Sequence, residues 1–341
     1  MVNKMKLKAK FVLYLLFCLP FNVYGVEPGF SALKQRNYVV CGIDADYNYL
    51  AYKKEGRWQG LDADMCRAVA QAVLHDSESF KLLPVKMKKI GQLLNSGSVD
   101  VVLGHNWIPP RILAKQNITP TDIIYYDKIV LAVRDQKIKA SSLKDYFGSK
   151  ICVQDNSITL DNIVRYNSKY NLGFSILKFS QLSELKSAFY LKRCNLIAGD
   201  EVYITGIVKD LRNESAKVLP EEMSVIPVKY YTSGINNYFN IVIRNIFNAL
   251  KVAAEEGINS ANVDTFKIDK RTSVQNILGF NSKFWEQLHL DSSWLEKYIQ
   301  KYGNYYDILE RNIGYSSPLN LNTKYNTSYK KGGIDINMPL L

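Results

Sequence analysis

The stretch "SVDVVLGHNWIPPRILA" (98–114) carries an apolar run, Val99 to Leu103, that stops at Gly104 and opens into Asn106, Trp107, two prolines and Arg111. An arginine just past a buried strand can hold a carboxylate through two charge-assisted hydrogen bonds. Three other apolar runs end in the same way. Asp44 and Tyr47 follow Ile43, Gln154, Asp155 and Ser157 follow Val153, and Asp200 and Glu201 follow Ala198. An aspartate facing the arginine would hold an ammonium, and a free α-amino acid carries both groups on one carbon. Taken singly, these residues have plainer uses: Arg111 as a surface salt-bridge residue, Asp200 as the cap of a helix starting at Glu201. Trp107 lies close enough to Arg111 in sequence to line the same cleft, with packing as its alternative role. Metal and redox chemistry find little support, because the only histidines are His75, His105 and His289 and there is no CxxC or HExxH motif.

The elements that would position these residues alternate between strand and helix. Tyr38 to Ile43 reads as a strand. "GLDADMCRAVAQAVLHD" reads as a helix with Met65, Val69 and Val73 on one stripe and Asp62 as its expected cap. Leu82 to Met87, Ile90 to Asn95 and Val99 to Leu103 continue as strand, helix and strand. After an extended segment, Ile123 to Asp135, the grammar restarts: strands at 151–153, 174–177 and 195–198 alternate with helices at 159–167 and 181–191. A second extended segment, Met223 to Tyr231, leads to an amphipathic helix, Asn237 to Glu256, that stops at Gly257. Such alternation implies a mostly parallel, doubly wound α/β sheet in each of two similar lobes. Ligands of open α/β sheets sit outside the carboxyl ends of the strands, where the candidate residues fall.

The chain has 341 residues, 47% hydrophobic and 22% charged, enough for two domains. Lys4, Lys6, Lys8 and Lys10 precede an apolar run from Phe11 to about Val23, the order of a secretory signal peptide, with cleavage expected after Gly25. The run is shorter than the roughly 20 apolar residues that span a bilayer, and Pro20 interrupts it. Removing these four lysines lowers the formal charge from +12 to +8. No Lys/Arg run is dense enough for a nucleic-acid or membrane patch, so the excess reads as a solvated surface. Four cysteines remain, Cys41, Cys66, Cys152 and Cys194, and an even number in an exported chain suggests disulfides.

At these residues the chain resembles the periplasmic solute-binding proteins of polar amino-acid ABC transporters, in the general L-amino-acid branch. The resemblance runs through "VVCGID", "GRWQGLDADMCRAVAQAVL", "SGSVDVVLGHNWIPPR", "YYDKIVLAVR", "ICVQDNSIT", "KRCNLIAGDEV", "ALKVAAEEGINSANVD" and "KYGNYYDILERNIG". It implies a type II periplasmic-binding fold, two α/β lobes on a two-strand hinge. The implied division is a signal peptide at 1–25, lobe one at 26–125 and again at 227–315, lobe two at 126–226, and a C-terminal tail at 316–341. Asp44 and Tyr47 match the loop that meets or covers the ligand side chain. Asn106 stands where the family has a carboxylate-binding serine or threonine, Arg111 matches the carboxylate-binding arginine, Ser157 matches a hydroxyl that also meets the carboxylate, and Asp200 matches the acceptor of the α-ammonium. The chain departs from the pattern at Asn156-Ser157-Ile158, where the family reads Gly-Thr-Thr, and at Ile108 with two prolines ahead of Arg111. Disulfides Cys41–Cys66 and Cys152–Cys194 are expected, since each pair lies within one lobe and leaves the hinge free.

The expected function is a periplasmic, monomeric receptor that captures a free L-amino acid and delivers it to an ABC-transporter permease and its ATPase, with no cofactor, metal or nucleic acid. One alternative is a periplasmic enzyme of the amino-acid dehydratase type on the same fold. Against it, the candidate cleft lacks a convincing general acid or base, His105 being the only histidine near a predicted site and Glu201 the nearest glutamate. Another is a fold relative that has lost its ligand.

Overall fold

The computed structural model describes residues 28–104, 108–134, 142–211, 216–281 and 283–340. The expected signal peptide therefore lies outside the described residues, as do Asn106, Trp107 and His105. Among the described residues no helix is long and apolar enough to cross a membrane.

After helix α1 (Pro28–Arg36), strand β1 (Val39–Ile43) is buried throughout, as expected of an unbroken apolar run between two parallel neighbours. Those neighbours are β4 (Phe80–Pro84) and β5 (Val101–Leu103). Between β1 and β4 come a hairpin, β2 (Tyr52–Lys54) with β3 (Arg57–Gln59), and helix α2 (Leu61–Leu74), buried nearly all round. Gly60 starts α2 at φ +109°, where a Cβ would lie 2.2 Å from the Leu50 carbonyl oxygen, so only glycine fits. Asp62 is not the cap of this helix: it sits inside the first turn, buried, and its Oδ1 accepts a 2.9 Å hydrogen bond from the Tyr230 hydroxyl. Helices α3 (Ile90–Asn95) and α4 (Pro110–Gln116) flank β5.

The same arrangement recurs later in the chain. Strand β7 (Lys150–Gln154) lies parallel to β8 (Ser175–Phe179) and β9 (Leu196–Asp200), joined by helices α5 (Ile158–Tyr170) and α6 (Leu182–Tyr190), and α7 (Glu201–Asp210) follows β9. Two long strands connect the halves: β6 (Ile118–Val133) and, after the short β10 (Lys217–Val218), β11 (Ser224–Ser233). They pair with each other antiparallel, β11 also pairs with β5, and β6 also pairs with β9 and β10. The strand order is β4-β1-β5-β11-β6-β9-β7-β8. The two parallel halves thus have the same order around β1 and β7, with the β6–β11 pair running through both. The expected extended segments overlap this pair over 123–133 and 224–231.

Helix α8 (Asn237–Glu255) lays its apolar stripe, Val242, Ile243, Ile246, Phe247 and Leu250, into the main core beside α2, and α9 (Thr272–Ile277), α10 (Lys283–Glu286), α11 (Trp294–Tyr302) and α12 (Tyr305–Asn312) complete that layer. Disulfides join Cys41 to Cys66 and Cys152 to Cys194, with Cα separations of 6.2 and 5.8 Å. Each links a strand to a segment of its own half, as expected.

The stretch after α12 packs against β6 and α8. The Asn326 side chain accepts from the Tyr126 amide at 2.6 Å and donates to the Tyr126 carbonyl at 2.9 Å. Asp335, buried, pairs with Lys251 of α8 at 2.8 Å, and Lys251 also donates to the Ile123 carbonyl of β6.

Candidate functional site

The loops at the carboxyl ends of β1 and β9 meet. Tyr47, buried at 5% exposure, donates its hydroxyl to Asp200 Oδ2 at 2.6 Å, and its ring lies against Tyr203 of α7 at 5.4 Å. Asp44 shapes the loop that carries Tyr47. Its side chain accepts from the Asp46 amide at 3.0 Å and its carbonyl from the Tyr47 amide at 3.2 Å. Tyr49 extends the contact, its hydroxyl donating to Asp210 at 3.2 Å, and Lys186 pairs with the same carboxylate at 2.7 Å. The approach is close because α7 presents a glycine: a Cβ on Gly206 would lie 2.9 Å from the Tyr49 ring.

Asp200 occupies the position before α7, yet its side chain makes no capping hydrogen bond. The carboxylate faces Tyr47 instead. Burial, then the charge and hydrogen bond of Asp200, hold the Tyr47 hydroxyl well above the ordinary tyrosine range, so Tyr47 is a neutral donor. Ser157 caps α5, accepting from the Leu160 amide at 3.1 Å while its own hydroxyl donates to the Gln154 carbonyl at 2.7 Å. Before it, Asn156 adopts φ +52°, the left-handed conformation that glycine favours. Asparagine tolerates that region better than other side chains, so replacement of the family's glycine leaves the loop its turn. Arg111 is exposed in the first turn of α4, behind Pro109 and Pro110. Among the described residues no hydrogen bond joins Arg111 or Ser157 to the Tyr47–Asp200 pair. Of the candidate residues, then, direct contact unites Tyr47 with Asp200, Asp44 supports Tyr47, and Ser157 and Arg111 stand at the starts of helices that follow their own strands.

Several polar residues beside this pair escaped the sequence reading. Asp127, in β6, is 3% exposed, and its Oδ1 accepts from the Lys128 amide at 2.7 Å. Burial and then the charge of Asp200 push its carboxyl well above the usual range. Lys128 pairs with Glu201 at 2.9 Å and Glu222 at 3.2 Å; burial opposes its charge, but these partners outweigh it. The signal available in the sequence was the polar pair Asp127-Lys128 between "IIYY" and the apolar run Ile129 to Val133.

Two aspartates and a tyrosine at the carboxyl ends of parallel strands, in twin α/β halves joined by two strands, form a polar site suited to a small cationic group. The chain belongs to the bacterial extracellular solute-binding proteins, family 3, whose pattern it matches over residues 39–304. The type II periplasmic-binding fold implied by the resemblance is the fold of this chain. It is 32% identical to the general L-amino acid-binding periplasmic protein AapJ of Rhizobium johnstonii, over 91% of this chain and 92% of that protein. It is 26% identical to the glutamate/glutamine/aspartate/asparagine-binding protein BztA of Rhodobacter capsulatus, over 89% and 90% of the two chains. Among solved structures it is similar to an ABC transporter periplasmic binding protein from Brucella ovis with glutathione bound. That match has a TM-score of 0.83 and 29% identity, and covers 92% of this chain and 99% of the other. Members of this family are binding proteins of transporters.

Proposed function

We propose that the protein is a periplasmic receptor, not an enzyme, that captures a free L-amino acid between two lobes and delivers it to an ABC permease and its ATPase. In this reading lobe one comprises 26–125 and 227–315, lobe two comprises 126–226, and β6 and β11 are the hinge. Asp200 accepts the α-ammonium, Arg111, Asn106 and Ser157 meet the carboxylate, and Asp44, Tyr47 and Trp107 line the side-chain end. The protein works as a monomer, exported by its N-terminal signal. The observation that carries the reading is the Tyr47–Asp200 hydrogen bond, which brings the loops after β1 and β9 together at the site where an open α/β sheet binds ligand.

The glutathione-bound relative supports a second ligand of the same chemistry. The γ-glutamyl end of glutathione carries a free α-ammonium and α-carboxylate, so the same two poles would hold it. The test is to melt protein lacking residues 1–25 with each of the twenty amino acids and with glutathione. A ligand at 100 times its dissociation constant stabilises by about 2.7 kcal/mol, enough for a visible shift. A shift with any of them supports the receptor reading, and no shift with all of them refutes it.

A further inference from the structure

Asp127 sits opposite Ile226 of β11 and two residues before Ile129, which pairs with Asp200. Side chains two apart share a face of a strand, so Asp127 and Asp200 are diagonal neighbours across β6 and β9. Asp127 Oδ2 is buried and has no hydrogen-bond partner among the described residues. The charged groups that disfavour its ionisation are Asp200 from β9 and Glu201 from the first turn of α7; Tyr125 and Lys128 come from its own strand, and the neutral Tyr47 lies behind Asp200. Lys128 is itself engaged by Glu201 and Glu222. The amides of Lys128 and Val202 favour a charged Asp127, but burial and Asp200 prevail. Two neighbouring carboxylates shielded from water disfavour each other's ionisation, and a cation between them relieves this.

We infer that Asp127 holds a proton in the ligand-free protein and releases it when a ligand ammonium docks at Asp200, so that capture of an amine is linked to proton release. The inference rests on the proposed role of Asp200. The proton leaves the Asp127 carboxyl for solvent, the ligand keeps its own three, and its positive charge lets both carboxylates ionise. Asp127 is thereby a binding residue that favours a protonated amine over a neutral group of the same shape. Affinity rises with pH, by up to tenfold per unit while one proton is released, and levels off once Asp127 is already ionised in the free protein.

The experiment is calorimetry of the wild-type protein and Asp127→Asn with L-glutamine, L-glutamate, L-arginine and glutathione, in buffers of different ionisation enthalpy from pH 5.5 to 8.5. The expected result is that the wild type releases close to one proton per bound ligand at the lower pH values, while Asp127→Asn releases none and its affinity is independent of pH. Binding without proton release in the wild type, or equal release in the variant, overturns the inference. Ligand-free melting separates this from failure of the receptor reading. A carboxyl raised in the folded state loses stability as pH climbs through its folded value, so the wild type should fall progressively below Asp127→Asn as pH rises. A melting difference that does not change with pH overturns the proton on Asp127 even if no probe binds. Heats absent for all four probes, with the pH-dependent difference present, overturn only its link to capture.

Discussion

Replacing Lys251 by methionine should be among the most damaging single changes in the protein. Lys251 and Asp335 are both buried, with side chains 7% and 4% exposed, and their charged atoms lie 2.8 Å apart. Burial lowers the lysine and raises the aspartic acid despite the pairing, so the fold tolerates each charge only through the other. Lys251→Met removes the cation, the hydrogen bond to the Ile123 carbonyl and the hydrogen bond to Asp335 Oδ1 at once. Breaking a buried pair in this way costs about 3–5 kcal/mol. The adjoining cavity of about 340 Å³, lined by Asp122, Lys251 and Asp335 among others, gives water a route in and favours the lower part of that range. The double change Lys251→Met/Asp335→Leu should recover most of the loss, because two apolar side chains of similar size replace two opposed charges. Urea unfolding of the four proteins of the cycle measures this. A single variant within about 0.5 kcal/mol of wild type, or a double variant as unstable as the sum of the singles, would refute the reasoning.

Exchanging both members of a disulfide for serine should cost about 3.5 kcal/mol for Cys41–Cys66 and about 4 kcal/mol for Cys152–Cys194, given separations of 25 and 42 residues. Denaturant midpoints measure it, and unchanged midpoints would contradict a cross-link that restrains the unfolded chain. Tyr47→Phe removes the hydroxyl that Asp200 accepts at 2.6 Å and should destabilise the ligand-free protein by about 1.5–3 kcal/mol, the usual range for a hydrogen bond to a charged group. Limited proteolysis of the same variant should cut faster in the 44–50 loop, and an unchanged cleavage rate would mean that the bond does not hold that loop.

Local pattern made most of the framework legible, because each half is built from short apolar runs and amphipathic helices whose periods are visible without tertiary context. The boundaries of β6 illustrate the limit. The extended segment expected from Ile123 begins at Ile118 and takes in Pro120, which cannot donate to a ladder and which pairs with Tyr231, next to a register irregularity of β11. Asp62 reads as a cap because nothing local announces Tyr230, which lies 168 residues later and takes the carboxylate. The order of the segment after α12 was likewise illegible, since it depends on Asn326 meeting Tyr126 and Asp335 meeting Lys251 and not on any periodicity. At the site, loop positions after each strand pointed to Asp44, Tyr47, Ser157 and Asp200. For Asp127 the only signal was a polar pair between apolar stretches, which does not name its neighbour, because Asp200 is brought beside it by strand register.

The claim at the centre is that Asp200 and Arg111 hold opposite charges of one ligand, and calorimetry of Asp200→Asn and Arg111→Ala tests it most directly. The measurement uses the amino acid with the largest melting shift, its amide and its deaminated acid. Each substitution should weaken binding of the amino acid by about 2–5 kcal/mol. The amide, which lacks the carboxylate, should then lose little further affinity in Arg111→Ala, and the deaminated acid little further in Asp200→Asn. Losses that add fully at both positions would contradict direct contact and leave Arg111 and Asp200 outside the site.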